Sequence, residues 1–303
     1  MQELGQTGLQ VSRIALGCMR MAKLTVPEAT AVVSKAMELG ISFFDHADIY
    51  GGGESEIRFA QALKQACLQR ENLCIQSKCG IRQGYFDFSK EHILQSVDGS
   101  LQRLGTDYLD VLALHRPDAL MDPAEVAEAF YQLQRAGKVR YFGVSNHNRY
   151  QIELLQSYLE QPLVVNQLQF SPAHTPLVDA GLHVNMKEDG ATMREGGLLD
   201  YCQLKKMTVQ AWSPFLIDLE QGVFADHPSY TMLNQTISSL AAYYQVSWEA
   251  IVIAWLFRHP ARIQAIVGTM NTERLTRIAQ ARQVNLARPD WYKIYISAGN
   301  SLP

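Results

Sequence analysis

The sequence predicts a (β/α)8 TIM barrel with an N-terminal hairpin and an extra C-terminal helix, in which residues 1–303 form one domain. Eight short segments rich in Val, Ile, Leu and Phe show little alternation, as is typical of strands buried on both faces of a parallel sheet. Longer segments with helical spacing separate them, which predicts parallel strands joined by right-handed crossovers. The predicted strands are 14–16, 42–44, 73–77, 109–114, 141–144, 163–166, 208–211 and 265–267.

A doubly wound parallel sheet is the alternative fold. That fold normally carries a Gly-rich turn after its first strand. The sequence contains neither G-x-G-x-x-G nor G-x-x-x-x-G-K-[ST]. The missing turn favours the barrel, which commonly uses about 250 residues as a single domain.

Three segments lie outside the strand–helix repeat. Residues 1–10, with Gly5 and Gly8, predict a short hairpin that caps the floor of the barrel. Residues 288–297 predict a final helix packed on the outside. The connection 171–196 is unusually long, and long loops in compact domains are commonly functional.

Composition and charge restrict the function. Hydrophobic residues make up 47% and charged residues 19%, as in an ordinary globular protein. The net charge is −3 and no basic block occurs, so nucleic acid is not an expected partner. Five cysteines without a CxxC motif favour a reducing compartment and provide no zinc-like spacing. The longest apolar run, 250–257, is far shorter than the roughly 20 residues that span a bilayer, so we expect a cytoplasmic protein.

Titratable residues close three consecutive predicted strands. Asp45, Lys78 and His115 follow the second, third and fourth strands. The active site of such a barrel lies at the carboxyl ends of its strands, so these side chains are expected to meet. A structural Asp–Lys ion pair and a Schiff-base lyase with Lys78 as nucleophile are both compatible with this pattern.

Six ordered motifs make a more specific connection. They are GISFFDHADIYGGGESE, IQSKCG, LALHRPD, GVSNHN, VVNQLQFSP and IVGTMNTERL, and LGQTGLQVSRIALG precedes them. In order and spacing this series resembles the aldo-keto reductase family across nearly the whole chain. The resemblance implies the same barrel and an oxidoreductase activity.

The resemblance implies a catalytic tetrad of Asp45, Tyr50, Lys78 and His115. A free tyrosine has a pKa of about 10, too high for an efficient acid near neutral pH. We expect the ammonium group of Lys78 to lower the pKa of Tyr50. Asp45 would hold Lys78 in place, and His115 would donate a hydrogen bond to a substrate carbonyl.

The resemblance also implies an NADP(H) site. The ribose and nicotinamide would contact Gly17, Cys18 and Met19, and the nicotinamide carboxamide would contact Ser145, Asn146 and Gln167. The nicotinamide ring and pyrophosphate would contact Trp212, Ser213, Pro214, Phe215 and Leu216. The adenosine 2′-phosphate would contact Gly268, Thr269, Met270, Asn271 and Arg274.

The implied 2′-phosphate site is physically reasonable, because helix N-termini attract anions and Arg274 can hold a phosphate. Two positions depart from the family pattern. Gly268 stands where many members carry a Lys, and Ile278 stands where some carry a polar residue. The absence of the Lys weakens the expectation of a strict preference for NADP, and the polar residue that Ile278 replaces often meets the adenine. Asn271 can also serve as a helix N-cap.

The resulting functional prediction is NADP(H)-dependent reduction of an aldehyde or ketone, with Tyr50 as general acid and a small-molecule carbonyl as substrate. A nicotinamide-cofactor-binding sensor with slow or no turnover is the alternative on the same barrel. Selectivity for the substrate is expected to come from the loops 19–23, 79–88, 116–121 and 171–196.

Overall fold

The computed structural model describes residues 1–182, 197–218 and 220–300, which include a closed barrel of eight parallel strands. Strands that are consecutive in the chain are neighbours in the barrel, and the last strand pairs with the first. The predicted (β/α)8 barrel is therefore confirmed. The strands are β1 Ile14–Gly17, β2 Phe43–Asp45, β3 Cys74–Cys79, β4 Leu109–Leu114, β5 Val139–Ser145, β6 Leu163–Gln169, β7 Thr208–Trp212 and β8 Gln264–Val267.

Several strands extend further than the sequence predicts. The predicted segments stop just before Lys78 and Gln167, but β3 continues through Lys78 and β6 continues through Gln167. In the barrel, Lys78 is paired with Ala113, and Gln167 is paired with Ser145. A polar side chain does not end a strand here, because its backbone still pairs with a neighbouring strand.

Helices surround the barrel, and their first turns carry recognisable signals. Thr25 and Glu28 form a capping box at the start of the helix 26–38, and the Ser247 side chain accepts a hydrogen bond from the Ala250 amide at the start of the helix 248–258. The helices are α1 Val26–Glu38, α2 Glu54–Gln65, α3 Lys90–Leu104, α4 Pro123–Arg135, α5 Arg149–Gln156, α6 Pro176–Leu182, α7 Leu198–Leu204, α8 Thr231–Tyr244, α9 Trp248–Arg258, α10 Thr272–Ala279 and α11 Arg288–Ser297.

The long connection predicted at 171–196 is only partly a loop. Helix α6 occupies residues 176–182 of it, and residues 183–196 lie outside the described residues.

Among the helices that are described, none is by itself long and apolar enough to cross a membrane. The pair 228–244 and 248–258 reaches that length only together, with a bend of 92°.

The N-terminal hairpin closes the floor of the barrel. Its strands Gln2–Glu3 and Gln10–Val11 pair antiparallel, and Leu4 packs in an inner apolar cluster with residues from the strand starts. Gly5 has a φ of 56°, and a Cβ at this position would lie 2.9 Å from the Cβ of Val164. Only glycine therefore allows so close an approach, and the open end of the barrel is the opposite one, where the strands end.

The final helix, α11, packs outside the barrel as predicted. Its Trp291 stacks on Trp255 of α9 with ring centroids 4.9 Å apart. The two indole N–H groups donate to each other's backbone carbonyls at 3.1 and 3.0 Å. This reciprocal contact fixes α11 against α9.

Candidate active site

The structure brings the side chains of Asp45, Tyr50 and Lys78 into direct contact at the mouth of the barrel. Lys78 is fully buried on β3, and its Nζ lies 2.9 Å from Asp45 Oδ1. The same Nζ donates to the His46 carbonyl at 2.7 Å and to the Tyr50 hydroxyl at 3.1 Å. An ammonium group has three protons, so these three acceptors satisfy all of its hydrogen-bond donors.

Tyr50 reaches the barrel mouth through a glycine turn. The turn Tyr50–Gly53 contains Gly51 and Gly52 at φ 61° and 66°, in the left-handed region. A Cβ at position 51 would lie 2.6 Å from the Cβ of Ala22. Glycine removes both the strain and the clash, so the chain can fold back sharply before α2.

His115 completes the group of four. It directly follows β4, and its ring meets the Tyr50 ring edge-on with centroids 5.9 Å apart. Burial, followed by the nearby charges of Lys78 and Arg116, lowers the pKa of His115 to about 2. The imidazole is therefore neutral near pH 7 and keeps one N–H donor.

The expected lowering of the Tyr50 pKa is not what the structure gives. Burial raises the pKa of Tyr50, and the neighbouring Lys78 charge offsets this effect only in part. The reason is that burial removes solvent that would stabilise the negatively charged phenolate. Burial works to lower the pKa of Lys78 as well, but Asp45 and Tyr50 outweigh it and raise that pKa, so the lysine stays charged.

A cleft of about 650 Å³ opens above these residues. Its wall contains three of the four predicted catalytic side chains, while Lys78 lies behind Tyr50. It also contains thirteen of the sixteen residues implied for cofactor binding. These thirteen are Gly17, Met19, Ser145, Asn146, Gln167, Trp212, Ser213, Pro214, Phe215, Leu216, Gly268, Thr269 and Arg274.

Three of the residues implied for cofactor binding do not line the cleft. Cys18 is fully buried, with its Sγ 3.5 Å from the Leu16 carbonyl. Met270 packs against the hydrophobic core. The side chain of Asn271 caps α10 by accepting from the Arg274 amide at 2.8 Å.

Hydrogen bonds connect the residues implied for the nicotinamide end. Trp212 Nε1 donates to Asn146 Oδ1 at 3.3 Å, and Asn146 Nδ2 donates to Ser145 Oγ at 2.8 Å. Ser145 Oγ in turn donates to the Gln167 carbonyl at 3.0 Å. These bonds hold the half-buried Trp212 indole at the cleft wall, where its ring can stack on a flat ligand.

The other end of the cleft carries a cation at a helix start. Arg274 lies in the first turn of α10 and is exposed, with its Nε 3.9 Å from Glu249 Oε1. Glu249 is held by Arg277, which donates to it twice, at 2.9 and 3.0 Å. Because Glu249 is already bonded to Arg277, Arg274 remains available for an anion.

Sequence reasoning missed several residues of the cleft wall. Val223, Trp248 and Glu249 line the cleft but stand in no predicted group, whereas Arg20 and Arg116 lie in the loops 19–23 and 116–121 that were predicted to select the substrate. Arg116 follows His115 directly in the motif LALHRPD, so its adjacency to a strand end was a usable signal. Glu249 belongs to a helix distant in sequence from any strand end, and no local pattern indicates its position.

The comparisons with known proteins agree with this geometry. The sequence profile described as the Aldo/keto reductase family matches residues 13–296. The chain belongs to the aldo-keto reductase family. The prediction made from its six motifs is thus confirmed.

Relatives of this aldo-keto reductase cover it almost completely. It is 36% identical to the uncharacterized oxidoreductase YcsN of Bacillus subtilis, over 97% of each chain. It is 33% identical to a 6-dehydroglucose reductase of Agrobacterium fabrum, over 96% of this chain and 95% of the relative. A crystal structure of a thermostable aldo-keto reductase in complex with the inhibitor epalrestat superposes with a TM-score of 0.77, at 25% identity and 98% coverage of both chains. This reductase is therefore an oxidoreductase by family.

Proposed function

We propose that this aldo-keto reductase reduces carbonyl groups with NADPH, and that Tyr50 is the proton donor. The supporting observation is the set of bonds at Lys78. Its Nζ donates to Asp45, to the His46 carbonyl and to the Tyr50 hydroxyl. The Tyr50 oxygen is therefore an acceptor toward Lys78, and its own proton forms no hydrogen bond within the described residues. That proton is free to pass to a substrate in the cleft.

The residues of the cleft fit a nicotinamide dinucleotide. Gln167 Oε1 accepts no hydrogen bond from the described part of the chain, so a carboxamide N–H could donate to it. The Trp212 ring offers a flat surface nearby. Arg274 and the N-terminus of α10 supply the positive charge that a 2′-phosphate needs. When bound, NADPH supplies the hydride that reduces the carbonyl carbon.

The chain's own residues then orient the substrate and deliver a proton. His115 is neutral and donates its N–H to the carbonyl oxygen. Tyr50 transfers its hydroxyl proton to the same oxygen, and the adjacent Lys78 charge stabilises the phenolate that results. Burial raises the pKa of Tyr50, so Tyr50 is protonated at neutral pH before the reaction begins.

The substrate end of the cleft combines apolar and cationic groups. Met19, Ile49 and Ile81 line it, together with the half-buried Arg116. The guanidinium of Arg116 lies 6.0 Å from the Trp212 ring centroid. Arg116 could donate to hydroxyl or carboxylate oxygens of a substrate. Two relatives are 6-dehydroglucose reductases, which supports a sugar-derived carbonyl compound as the substrate of this chain.

The test is oxidation of NADPH and NADH against sugar aldehydes, simple aldehydes and ketones. We expect turnover with NADPH and at least one sugar-derived carbonyl compound. Tight NADPH binding without turnover on the whole panel would refute the reductase and support a sensor. Covalent trapping of substrate on Lys78 by borohydride would instead indicate a Schiff-base lyase.

A further inference from the structure

Three glutamines lie inside the barrel below the catalytic residues. They are Gln76 on β3, Gln210 on β7 and Gln264 on β8, and all three are fully buried. Gln76 is two residues before Lys78 on β3, so both side chains face the interior. We call Gln76, Gln210 and Gln264 the glutamine layer.

The glutamine layer forms one chain of hydrogen bonds that begins at Asp45. Gln76 Nε2 donates to Asp45 Oδ1 at 2.7 Å and to Gln210 Oε1 at 2.8 Å. Gln210 Nε2 donates to Gln264 Oε1 at 2.8 Å, and Gln264 Nε2 donates to the Ser12 carbonyl at 2.7 Å. Since β3 and β7 are not neighbours, the bond between Gln76 and Gln210 crosses the interior of the barrel.

The ends of this chain fix the orientation of every amide in it. The Ser12 carbonyl can only accept, so it holds the Gln264 amide group toward the floor and leaves the Gln264 oxygen for Gln210. Gln210 must then present its own oxygen to its other neighbours. Gln167 Nε2 donates to that oxygen and to Asp45 Oδ1, both at 3.1 Å. With its side-chain N–H donors used in this way, Gln167 keeps its side-chain oxygen Oε1 for a ligand.

Packing alone does not account for Gln76. Its Oε1 is buried and has no hydrogen-bond partner in the described residues. A rotated amide would set that oxygen against Asp45 Oδ1 and Gln210 Oε1, which are both acceptors. An apolar side chain of similar shape would fill the space without an unsatisfied oxygen. The amide is therefore best explained by what its two N–H groups hold.

We propose that the glutamine layer positions both halves of the site, an inference that rests on the proposed reductase function. Through Gln76 it fixes the Asp45 carboxylate that orients Lys78. Through Gln210 it fixes which atom of Gln167 faces the nicotinamide carboxamide. The three glutamines are positioning residues, because they touch neither substrate nor cofactor.

The first experiment separates kcat from binding in Gln76→Met. We expect kcat to fall about 10-fold to 100-fold, the range for one hydrogen bond to a charged group. The KM of the aldehyde and the Kd of NADPH should stay within about threefold, since no contact to either is removed. Ser77→Ala is the matched control. Ser77 is equally buried on the same strand but faces outward and donates to Glu56 at 2.7 Å, so its kcat should stay within about twofold of wild type.

The second experiment measures binding in Gln210→Met. This variant removes one of the two acceptors that hold the Gln167 amide, and we expect NADP+ to bind about 10-fold more weakly. The fragment 2′,5′-ADP lacks nicotinamide, so its Kd should not change. Gln264→Met, one bond further from Gln167, should weaken NADP+ binding less than Gln210→Met does.

Wild-type kcat in Gln76→Met, or an equal loss of kcat in Ser77→Ala, would overturn the proposal. Equal weakening of NADP+ and 2′,5′-ADP in Gln210→Met would overturn the part that concerns Gln167. If Gln76→Met does not fold, the proposal is tested by Gln210→Met alone, through the change in the Kd of NADP+ compared with the change in the Kd of 2′,5′-ADP. A wild-type protein that binds no NADPH would refute the proposed function itself, which is a different outcome from any of these.

Discussion

Replacing Tyr50 by Phe tests the central chemical claim, because the change removes one oxygen and leaves the ring. The ring can keep its edge-on contact with His115, at a centroid distance of 5.9 Å. Lys78 loses its bond to the hydroxyl at 3.1 Å but keeps Asp45 and the His46 carbonyl. Stability should therefore fall by about 1.5–3 kcal/mol, the usual range for one hydrogen bond to a charged group.

The effect of Tyr50→Phe on turnover should be much larger. A positioned general acid contributes roughly 10²-fold to 10⁴-fold, so the barrier should rise by about 3–5 kcal/mol. The assay is the loss of reduced-nicotinamide absorbance, with NADPH affinity measured separately by quenching of protein fluorescence. We expect a collapse of kcat with nearly unchanged NADPH affinity. Turnover within about tenfold of wild type would remove Tyr50 as the proton donor. Tyr141→Phe is the control, since its hydroxyl bonds to the Thr7 carbonyl at the opposite end of the barrel.

Three further predictions concern charge and protonation. Lys78→Met leaves the buried Asp45 carboxylate without its cation, so the free energy of unfolding measured in urea should fall by about 3–5 kcal/mol. A fall of less than about 1 kcal/mol would contradict the buried ion pair. Arg274→Met should weaken NADPH binding about 10-fold to 100-fold and leave NADH binding unchanged, whereas equal effects on both would place Arg274 away from the 2′-phosphate. Burial lowers the pKa of His46 to about 3 and the pKa of His147 to about 4. Both imidazoles therefore stay neutral in the folded state, whereas in the unfolded chain they bind protons below about pH 6.5. Each of these two histidines should make the free energy of unfolding fall by about 1.4 kcal/mol per pH unit as the pH drops below about 6.5. His46→Leu should reduce the slope of the free energy of unfolding against pH by the equivalent of about one proton.

The polar residues at the strand ends illustrate what local pattern can establish. Asp45, Lys78 and His115 each close an apolar segment, and the topology of a parallel barrel brings such ends to one rim. Tyr50 needed the motif GISFFDHADIYGGGESE as well, because a residue beyond the strand end can point in several directions. Its direction follows from Gly51, whose left-handed conformation folds the chain over the mouth.

The protonation state of Tyr50 shows where local pattern fails. The sequence places a lysine near the tyrosine and so predicts a lowered pKa. In the folded protein, burial outweighs the Lys78 charge and raises that pKa. Burial is the summed effect of atoms from many segments, and no short motif contains that sum. Glu249 was not predicted for the same reason, because its position beside Arg274 depends on the packing of α9 against α10.

From the sequence alone came the barrel, the order of its strands and the four residues at its mouth, because periodicity, strand ends and motif spacing are local properties of the chain. Only the tertiary structure decided the chain of amides from Asp45 through Gln76, Gln210 and Gln264. These glutamines lie on strands far apart in sequence, and the bond between β3 and β7 crosses the barrel interior. Closure of the barrel brings them within hydrogen-bond distance. Closure depends on all eight strands together, so no single segment of the sequence predicts these contacts.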